Sequence, residues 1–369
     1  MNDKSFLCLK SLNLLILVDV VGIKFKDLFD DYRRPLKFKD LEGKILGIDA
    51  YVMLYQFLAR IRHMNATDPD GVFTDHQGRI TSHLIGLFYR TTALIQEKIK
   101  IIYVFDGPPP EFKKAEIERR KEQKRKAMEE MKAAEEAGDL ERARKLAART
   151  ITLDQDVLEE AKQLLGLLGV PCLTAKHDAE AQLAVMNKND NIYAVASQDY
   201  DTFLFGAPFI TRNITISGAR SGNVIPEKLF LNEILQGLDV SREQLIYAGL
   251  LLGTDFNRKI PRVGPKTALK IVKDYPEWEN ITSHVTEKYL SDGENIKDYF
   301  EGDMDTIINY FHDPPAETFS NKDITMGKVD KDAVLQFLVE ERQFDSVRIE
   351  QRLEKIKTIQ KQTSLSNFF

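Results

Sequence analysis

Three apolar runs along this chain each lead into aspartate. The runs are residues 44–49 (KILGID), 101–106 (IIYVFD) and 193–196, and the last run is followed by Asp199 and Asp201. Their β-branched and aromatic residues are typical of short strands that are buried on both faces. We therefore predict an α/β fold whose sheet is largely parallel. The acids would lie at the carboxyl ends of the strands, where open α/β sheets bind ligands.

Further acids lie at the borders of helical patterns. Asp178 and Glu180 open the segment DAEAQLAVM, and Asp255 follows the apolar segment LIYAGLLLGT. A capping role at a helix N-terminus would explain Asp178 alone, because the helix dipole stabilises a carboxylate there. It does not explain the whole set of acids.

The set as a whole predicts a metal site. Like charges at close range raise one another's pKa, so these carboxylates would stay ionised together only around positive charge. Oxygen ligands with no competing His/Cys cluster favour Mg²⁺ or Mn²⁺. Two such ions, about 3.5 to 4 Å apart, would clamp a phosphodiester for in-line attack.

Composition limits the class of protein. The 369 residues allow two or three domains, and an apolar content of 43% is enough for a sizeable core. Cys8 and Cys172 cannot form a disulfide framework, which suits a reducing compartment. The net charge of −5 argues weakly against a nucleic-acid partner, although local basic patches decide that affinity. The apolar run 12–18 is too short for a span of ~20 residues, so we expect no membrane partner.

Residues 111–149 are almost uniformly charged. Strong helix formers without a wide apolar stripe, broken near Gly138, predict two helices that stand in solvent. A solvated linker with i,i+4 ion pairs is one interpretation. The segment follows Asp106 closely, however, so its first turn should overhang the acids. Lys113 and Arg120 are seven residues apart and would share one helix face.

From residue 22 onward the chain resembles the archaeal flap endonucleases of the 5′-nuclease (XPG/Rad2) superfamily. The matching stretches are GIKFKDLF, GKILGIDAYVMLYQFL, GRITSHLIGLFYRT, IYVFDGPPPEFK and, later, LLGTDFNRKIPRVGPKTALKIV. The resemblance implies a PIN-like 5′-nuclease fold, a central sheet flanked by helices. It also implies a helical arch that a 5′ flap threads and a helix-hairpin-helix element that holds duplex DNA.

The implied function is a metal-dependent, structure-specific 5′ flap endonuclease with 5′–3′ exonuclease activity. Two Mg²⁺ ions, with Mn²⁺ as a plausible substitute, would serve its hydrolysis of DNA at the junction of single and double strands. One ion would be held mainly by Asp49, Asp106, Asp178 and Glu180, and the other mainly by Asp199, Asp201 and Asp255. The electrophilic residues would be Lys113 and Arg120. The DNA-binding residues would be Tyr55, Arg62, Arg90, Asp178, Gly253, Asp255 and Lys266.

The chain departs from the family pattern at three places. Asp178 stands where the family usually has glutamate, which keeps the charge on a side chain one methylene shorter. Arg262 replaces the first hairpin glycine, and so adds a Cβ where the backbone approaches phosphate. The family begins at the position of Gly22, so residues 1–21 are predicted to be an extension from a mis-assigned translation start.

The tail carries a second motif. Gln362, Leu365, Phe368 and Phe369 give Q-x-x-L-x-x-F-F. This spacing resembles the box with which such enzymes bind a PCNA-type sliding clamp. A tail that folds back on its own domain is the alternative. Because no basic segment follows the box, we expect a protein of the archaeal cytoplasm, with the nucleus as the alternative, monomeric when free.

These patterns divide the chain into six predicted regions. They are an extension (1–21), an N-terminal nuclease region (22–118), a helical arch (119–149), an internal nuclease region with the helix-hairpin-helix (150–280), a C-terminal helical region (281–360) and a clamp-binding tail (361–369).

Two other functions fit part of the sequence. The letters D-Y-D-T at residues 199–202 have the form of the nucleophile loop of haloacid-dehalogenase-type phosphatases, but Ser197 and Gln198 interrupt the apolar strand that this loop requires. A non-catalytic clamp-binding scaffold would be favoured if the carboxylates failed to converge.

Overall fold

The computed structural model describes residues 25–60, 73–147, 150–215 and 224–366. Within these residues a mixed sheet is flanked on both faces by helices. Its strands are β1 (Arg34–Pro35), β2 (Ile45–Asp49), β3 (Lys100–Phe105), β4 (Cys172–Thr174), β5 (Ala194–Ala196), β6 (Phe209–Arg212) and β7 (Glu227–Phe230).

The helices account for most of the remaining chain. Up to the middle of the chain they are α1 (Lys26–Phe29), α2 (Ala50–Arg60), α3 (Ser82–Gln96), α4 (Lys114–Glu136), α5 (Leu140–Ala147), α6 (Gln155–Leu167), α7 (Ala179–Lys188) and α8 (Asp201–Leu204). After them come α9 (Leu231–Leu238), α10 (Arg242–Leu252), α11 (Pro265–Asp274), α12 (Trp278–Tyr289), α13 (Met304–His312), α14 (Lys331–Leu335) and α15 (Ser346–Ser366).

The strand order confirms the largely parallel sheet that the sequence predicts. It runs β1-β7-β6-β5-β2-β3-β4, and among the described strands the antiparallel pairs are β1 with β7 and β6 with β7. From β2 the chain winds outward through β3 and β4 on one side, and through β5 and β6 on the other. The junction of β2 and β5 is therefore a topological switch point, where α/β sheets bind ligands.

Each face of the sheet carries its own hydrophobic core. Ile102 and Val104 of β3 pack with α7 and α10 on one face, while Ile101, Tyr103 and Phe105 pack with α2, α3 and α6 on the other. This alternation follows the two-residue period of a strand. Both faces are covered, which explains why the strands read as nearly continuous apolar runs.

The charged segment forms the two helices predicted from its composition. Helices α4 and α5 meet at Gly138, whose φ of 74° makes the turn between them. Their own small apolar cluster is formed by Ala134, Ala143 and Leu146. Most other side chains of α4 are exposed, so the hairpin stands out from the sheet.

The predicted C-terminal helical region (281–360) is helical, but the helix near its end is interrupted. Helix α14 continues as a π-helix over Gln336–Glu341, and the helix then breaks before α15. Gln343 takes a φ of 61° at the break. The neighbouring Arg342 turns inward to ion-pair with Glu160 at 2.6 Å, which ties this region to α6.

Some sequence-based predictions fall outside the described residues. These are the extension 1–21, Arg62, Phe368 and Phe369. In the described part of the chain, no helix is both long enough and apolar enough to cross a membrane.

Gly107 is required where the chain leaves β3. A Cβ built on it would lie 2.2 Å from the Ala175 carbonyl oxygen and 2.7 Å from that of Lys176. Its N–H donates to the His177 carbonyl at 2.7 Å. Gly107 thus lets the segment after β3 run against the segment that leads into Asp178.

We predict that Gly107→Ala lowers the free energy of unfolding by roughly 1–3 kcal/mol, because the clash is with backbone atoms that cannot rotate away. Gly166→Ala is the matched control, since a Cβ there meets nothing within 4 Å and favours the helix. Urea unfolding measures both variants. Equal stability of Gly107→Ala and the parent chain would contradict this packing.

Candidate active site

Three acids meet at the switch point because their strands are neighbours. Asp49 is the last residue of β2, Asp106 directly follows β3, and Asp199 lies just beyond β5. In the parallel register Ile48 pairs with Ala196, so the ends of these strands lie side by side. The parallel pairing of the strands therefore brings these acids together at one edge of the sheet, as the sequence predicts.

Two helices bring further acids to the same edge. Asp178 occupies the N-cap position of α7 and Glu180 its first turn. The Ala179 N–H between them donates to Asp106 Oδ1 at 2.8 Å, which links α7 to the end of β3. Asp201 opens the short helix α8, and its N–H donates to Asp199 Oδ1 at 3.2 Å.

Asp255 reaches the cleft through the turn that follows α10. Gly253 ends the helix with a φ of 90°, a conformation that favours glycine. A Cβ on Gly253 would lie 2.7 Å from the backbone nitrogen of Lys259. This double constraint explains the small residue before Asp255 and fixes the turn that presents the carboxylate.

The buried acids repel one another. Burial and then the charge of Asp106 raise the pKa of Asp49 to about 8. Burial raises the pKa of Asp106 and of Asp199 to about 6 each. The pKa of Glu180 is also raised, first by burial and then by Asp199 and Asp201. These effects show that the acids share one electrostatic environment with an excess of negative charge.

Lys113 supplies positive charge at the centre of the cleft. Its Nζ donates to Asp178 Oδ1 and lies 3.2 Å from Asp255 Oδ2. Burial alone would lower the pKa of Lys113, but the two carboxylates outweigh burial and raise it. Lys113 therefore remains charged and joins acids that the sequence assigns to different metal ions.

Arg120 reaches the same acid from about two turns further along the chain. It donates to Asp255 Oδ1, and its Nε donates to Glu116 Oε1 at 2.8 Å. Burial would raise the pKa of Asp255, yet Lys113 and Arg120 together lower it. The predicted shared face of Lys113 and Arg120 is confirmed by this common partner.

Two residues of the site escape the sequence-based prediction. Glu116 is buried and accepts from both Arg119 and Arg120, at 2.6 and 2.8 Å, and its i,i+4 spacing to Arg120 was an available signal. The Tyr310 hydroxyl donates to Asp178 Oδ2 at 2.6 Å. No local pattern indicates Tyr310, which lies 132 residues away from Asp178 along the chain.

The donor set fits a hard divalent cation in charge and chemistry. Every candidate ligand is a carboxylate oxygen, and burial followed by the charge of neighbouring carboxylates raises the pKa values of Asp49 and Glu180. Among the described residues, no group of three or more His, Cys, Asp or Glu side chains is placed to hold a metal ion as it stands. Mg²⁺ keeps several of its waters and contacts only one or two carboxylates directly, so it does not require such a group.

The predicted DNA-binding residues lie on several different elements. Tyr55 of α2 is 44% exposed and near enough to Arg120 and Asp106 for their charges to act on its hydroxyl. Arg90 lies half-buried in α3, and Lys266 is exposed in the first turn of α11. Arg262 adopts a φ of 61°, so the replacement of glycine there leaves the left-handed turn in place.

The geometry weighs against the two other functions considered. The scaffold interpretation required that the carboxylates stay apart, and they converge. The phosphatase interpretation leaves the arch, Lys113 and the acids of the other strands without a role.

Known proteins were compared with the chain. Residues 22–127 match the XPG N-terminal domain and residues 169–255 the XPG I-region. The chain is 40% identical over 346 residues to flap endonuclease 1 of Aeropyrum pernix, covering 91% of this chain and 94% of the relative. It is 42% identical over 350 residues to that of Pyrobaculum islandicum, covering 92% and 96%.

Solved structures agree. Flap endonuclease-1 from Methanococcus jannaschii superimposes with a TM-score of 0.68 and 33% identity, covering 92% of this chain and 98% of that one. The catalytic core of Rad2, at 23% identity and a TM-score of 0.67, shares the fold. The predicted 5′-nuclease fold is thereby confirmed, and the chain belongs to the flap endonuclease 1 family, whose members are metal-dependent nucleases that hydrolyse phosphodiester bonds.

Proposed function

We propose that this enzyme cuts branched DNA carrying a 5′ flap, close to the junction of single and double strands, and that it also degrades 5′ ends as an exonuclease. The observation that carries the proposal is the meeting of acids from β2, β3, β5, α7 and α10 beneath the first turn of the arch. A phosphodiester held there would face both the acids and two fixed cations, Lys113 and Arg120.

We assign the acids to two Mg²⁺ ions, with Mn²⁺ able to replace them. One ion would be held mainly by Asp49, Asp106, Asp178 and Glu180, and the other mainly by Asp199, Asp201 and Asp255. When bound, such ions supply Lewis acidity and lower the pKa of an attacking water. The excess negative charge of the buried acids supports this assignment.

Lys113 and Arg120 would change partners during the reaction. In this structure they neutralise Asp178 and Asp255. If the two carboxylates bound metal ions instead, the ammonium of Lys113 and the guanidinium of Arg120 would be free to contact phosphate oxygens. Charge develops on these oxygens in the transition state. Both groups remain within the cleft throughout, since they stand on the first turns of the arch.

The DNA would be held by groups outside the acid cluster. Tyr55 offers an exposed ring on which a base can stack. Lys266 and the N-terminus of α11 would bind a duplex phosphate, as the helix dipole favours. Arg62 and Arg90 would contact phosphates by their positions in the family pattern.

The tail would bind a PCNA-type sliding clamp. Gln362 and Leu365 lie within the long helix α15, and Phe368 and Phe369 follow it. The spacing of these residues is the support for the clamp assignment. We place the enzyme in the archaeal cytoplasm, in keeping with its resemblance to the archaeal flap endonucleases.

The proposed function predicts Mg²⁺-dependent cleavage of a labelled double-flap duplex. Asp199→Asn should slow single-turnover cleavage by at least about a hundredfold while DNA binding in EDTA stays nearly unchanged. Asp190→Asn is the matched control, because Asp190 is exposed and its φ of 59° suits asparagine equally well. Undiminished cleavage by Asp199→Asn, or no cleavage by the parent enzyme with Mg²⁺, would refute the assignment.

Lys113→Ala and Arg120→Ala should each reduce the single-turnover rate far more than they weaken DNA binding, because these charges act mainly in the transition state. Lys121→Ala serves as control, since Lys121 is exposed on the same helix and pairs only locally with Glu118 at 2.5 Å. Rates and dissociation constants are measured on the same flap substrate. Equal losses in rate and in DNA binding would contradict this prediction, because they would mean that Lys113 and Arg120 only bind phosphate.

The double change Phe368→Ala with Phe369→Ala should abolish stimulation by the clamp and leave clamp-free cleavage unchanged. Buried aromatic anchors contribute ~2 kcal/mol or more each at such interfaces. Asn367→Ala tests a tail position that the motif does not use. A clamp titration and a flap assay with and without clamp measure the effect. Normal clamp binding by the double variant would overturn the assignment.

A further inference from the structure

Asp178 is held from both sides. Its Oδ1 accepts from Lys113 and its Oδ2 accepts from the Tyr310 hydroxyl at 2.6 Å. Lys113 ends the helical turn that leads into α4, and Tyr310 lies in α13, far along the chain. The orientation of this one carboxylate is thus determined by two elements that lie far apart in the sequence.

Packing fixes the position of the Tyr310 hydroxyl. The ring centroid lies 5.2 Å from that of Phe112, 5.3 Å from that of Phe256 and 5.8 Å from that of Phe205, in edge-to-face arrangements. The side chain is buried, with 6% of its surface exposed. Phe112 adjoins Lys113 and Phe256 adjoins Asp255 in the chain. The rings that pack against Tyr310 therefore belong to the same two segments as these charged residues of the cleft.

The short side chain of Asp178 makes its orientation by the Tyr310 hydroxyl important. A carboxylate bonded to two donors loses the freedom to rotate about its Cβ–Cγ bond. Aspartate is one methylene shorter than glutamate, so its carboxylate reaches less far into the cleft. Cation binding by aspartate therefore depends more on the orientation of the carboxylate. A phenol hydroxyl on one oxygen leaves the opposite oxygen directed at Lys113, in the middle of the acid cluster.

We propose that Tyr310 is a positioning residue for the metal site, and that its hydroxyl orients Asp178 for cation binding. The inference rests on the proposed function only through the assignment of Asp178 as a metal ligand. Hydrogen-bond partners of ligating groups commonly change metal affinity by 10- to 100-fold when removed, which sets the size of the effect to expect.

The test is a calorimetric titration of Mn²⁺ into the full-length enzyme in the absence of DNA. Tyr310→Phe should weaken Mn²⁺ binding about tenfold and raise the Mg²⁺ concentration for half-maximal cleavage to a similar degree. Tyr247→Phe is the matched control. It removes another buried phenol that donates to a carboxylate, Glu243 at 2.9 Å, at the opposite end of α10 from Asp255.

A second change separates positioning from a structural role. In the Tyr310→Phe background, Asp178→Glu lets the acid reach further into the cleft, so that it depends less on the lost hydrogen bond, and should restore most of the lost Mn²⁺ affinity. In the parent background the same change should bring little gain, because the hydroxyl already orients the carboxylate. Thermal unfolding is measured in parallel, so that any loss of stability can be compared with that of Tyr247→Phe.

Each outcome decides the proposal. Weaker Mn²⁺ binding by Tyr310→Phe that Asp178→Glu restores supports it, even if unfolding temperatures shift. Unchanged Mn²⁺ affinity in Tyr310→Phe, a loss that Asp178→Glu does not restore, or an absence of Mn²⁺ binding by the parent enzyme overturns it. If the Mn²⁺ results hold but no flap is cleaved, the proposed function fails while the positioning role stands.

Discussion

Several carboxylates are buried in one cleft, and their loss of hydration, followed by their mutual repulsion, dominates the electrostatics of the site. Parallel strands that end side by side at a switch point deliver Asp49, Asp106 and Asp199 to one cleft, and burial there disfavours their ionised forms. An acid whose pKa is raised by folding costs stability as the pH rises from its unfolded pKa of ~4 towards the folded value, which is about 8 for Asp49. The fold therefore keeps a destabilising charge cluster, as functional sites commonly do.

The base of the arch partly neutralises this negative charge. It begins within a few residues of Asp106, and its first turns place Lys113 and Arg120 against Asp178 and Asp255. Glu116, in turn, holds Arg120 from within the helix. The cleft and the arch are thus linked by ion pairs. The entry of metal ions and phosphate would rearrange these ion pairs, so substrate binding would change the positions of Lys113 and Arg120.

Much of this arrangement could be predicted from the sequence, because the signals are local. An apolar run that ends on aspartate fixes both the strand and the position of the acid, and the seven-residue spacing of Lys113 and Arg120 fixes their common face. Glu116 was within reach of the same reasoning. Tyr310 was not, since its contact with Asp178 spans the chain and depends on how Phe112, Phe205 and Phe256 pack. The break at Gln343 was hidden for a related reason: the inward turn of Arg342 toward Glu160 is a tertiary contact.

We infer that the gathered carboxylates bind divalent cations at the switch point. X-ray diffraction at the manganese absorption edge, from crystals grown with Mn²⁺, locates such ions directly. Two anomalous peaks are expected in the cleft, ~2–2.5 Å from carboxylate oxygens of Asp49, Asp106, Glu180 and Asp199 or their neighbours. Anomalous peaks only elsewhere, in crystals of an enzyme that binds Mn²⁺ in solution, would contradict it.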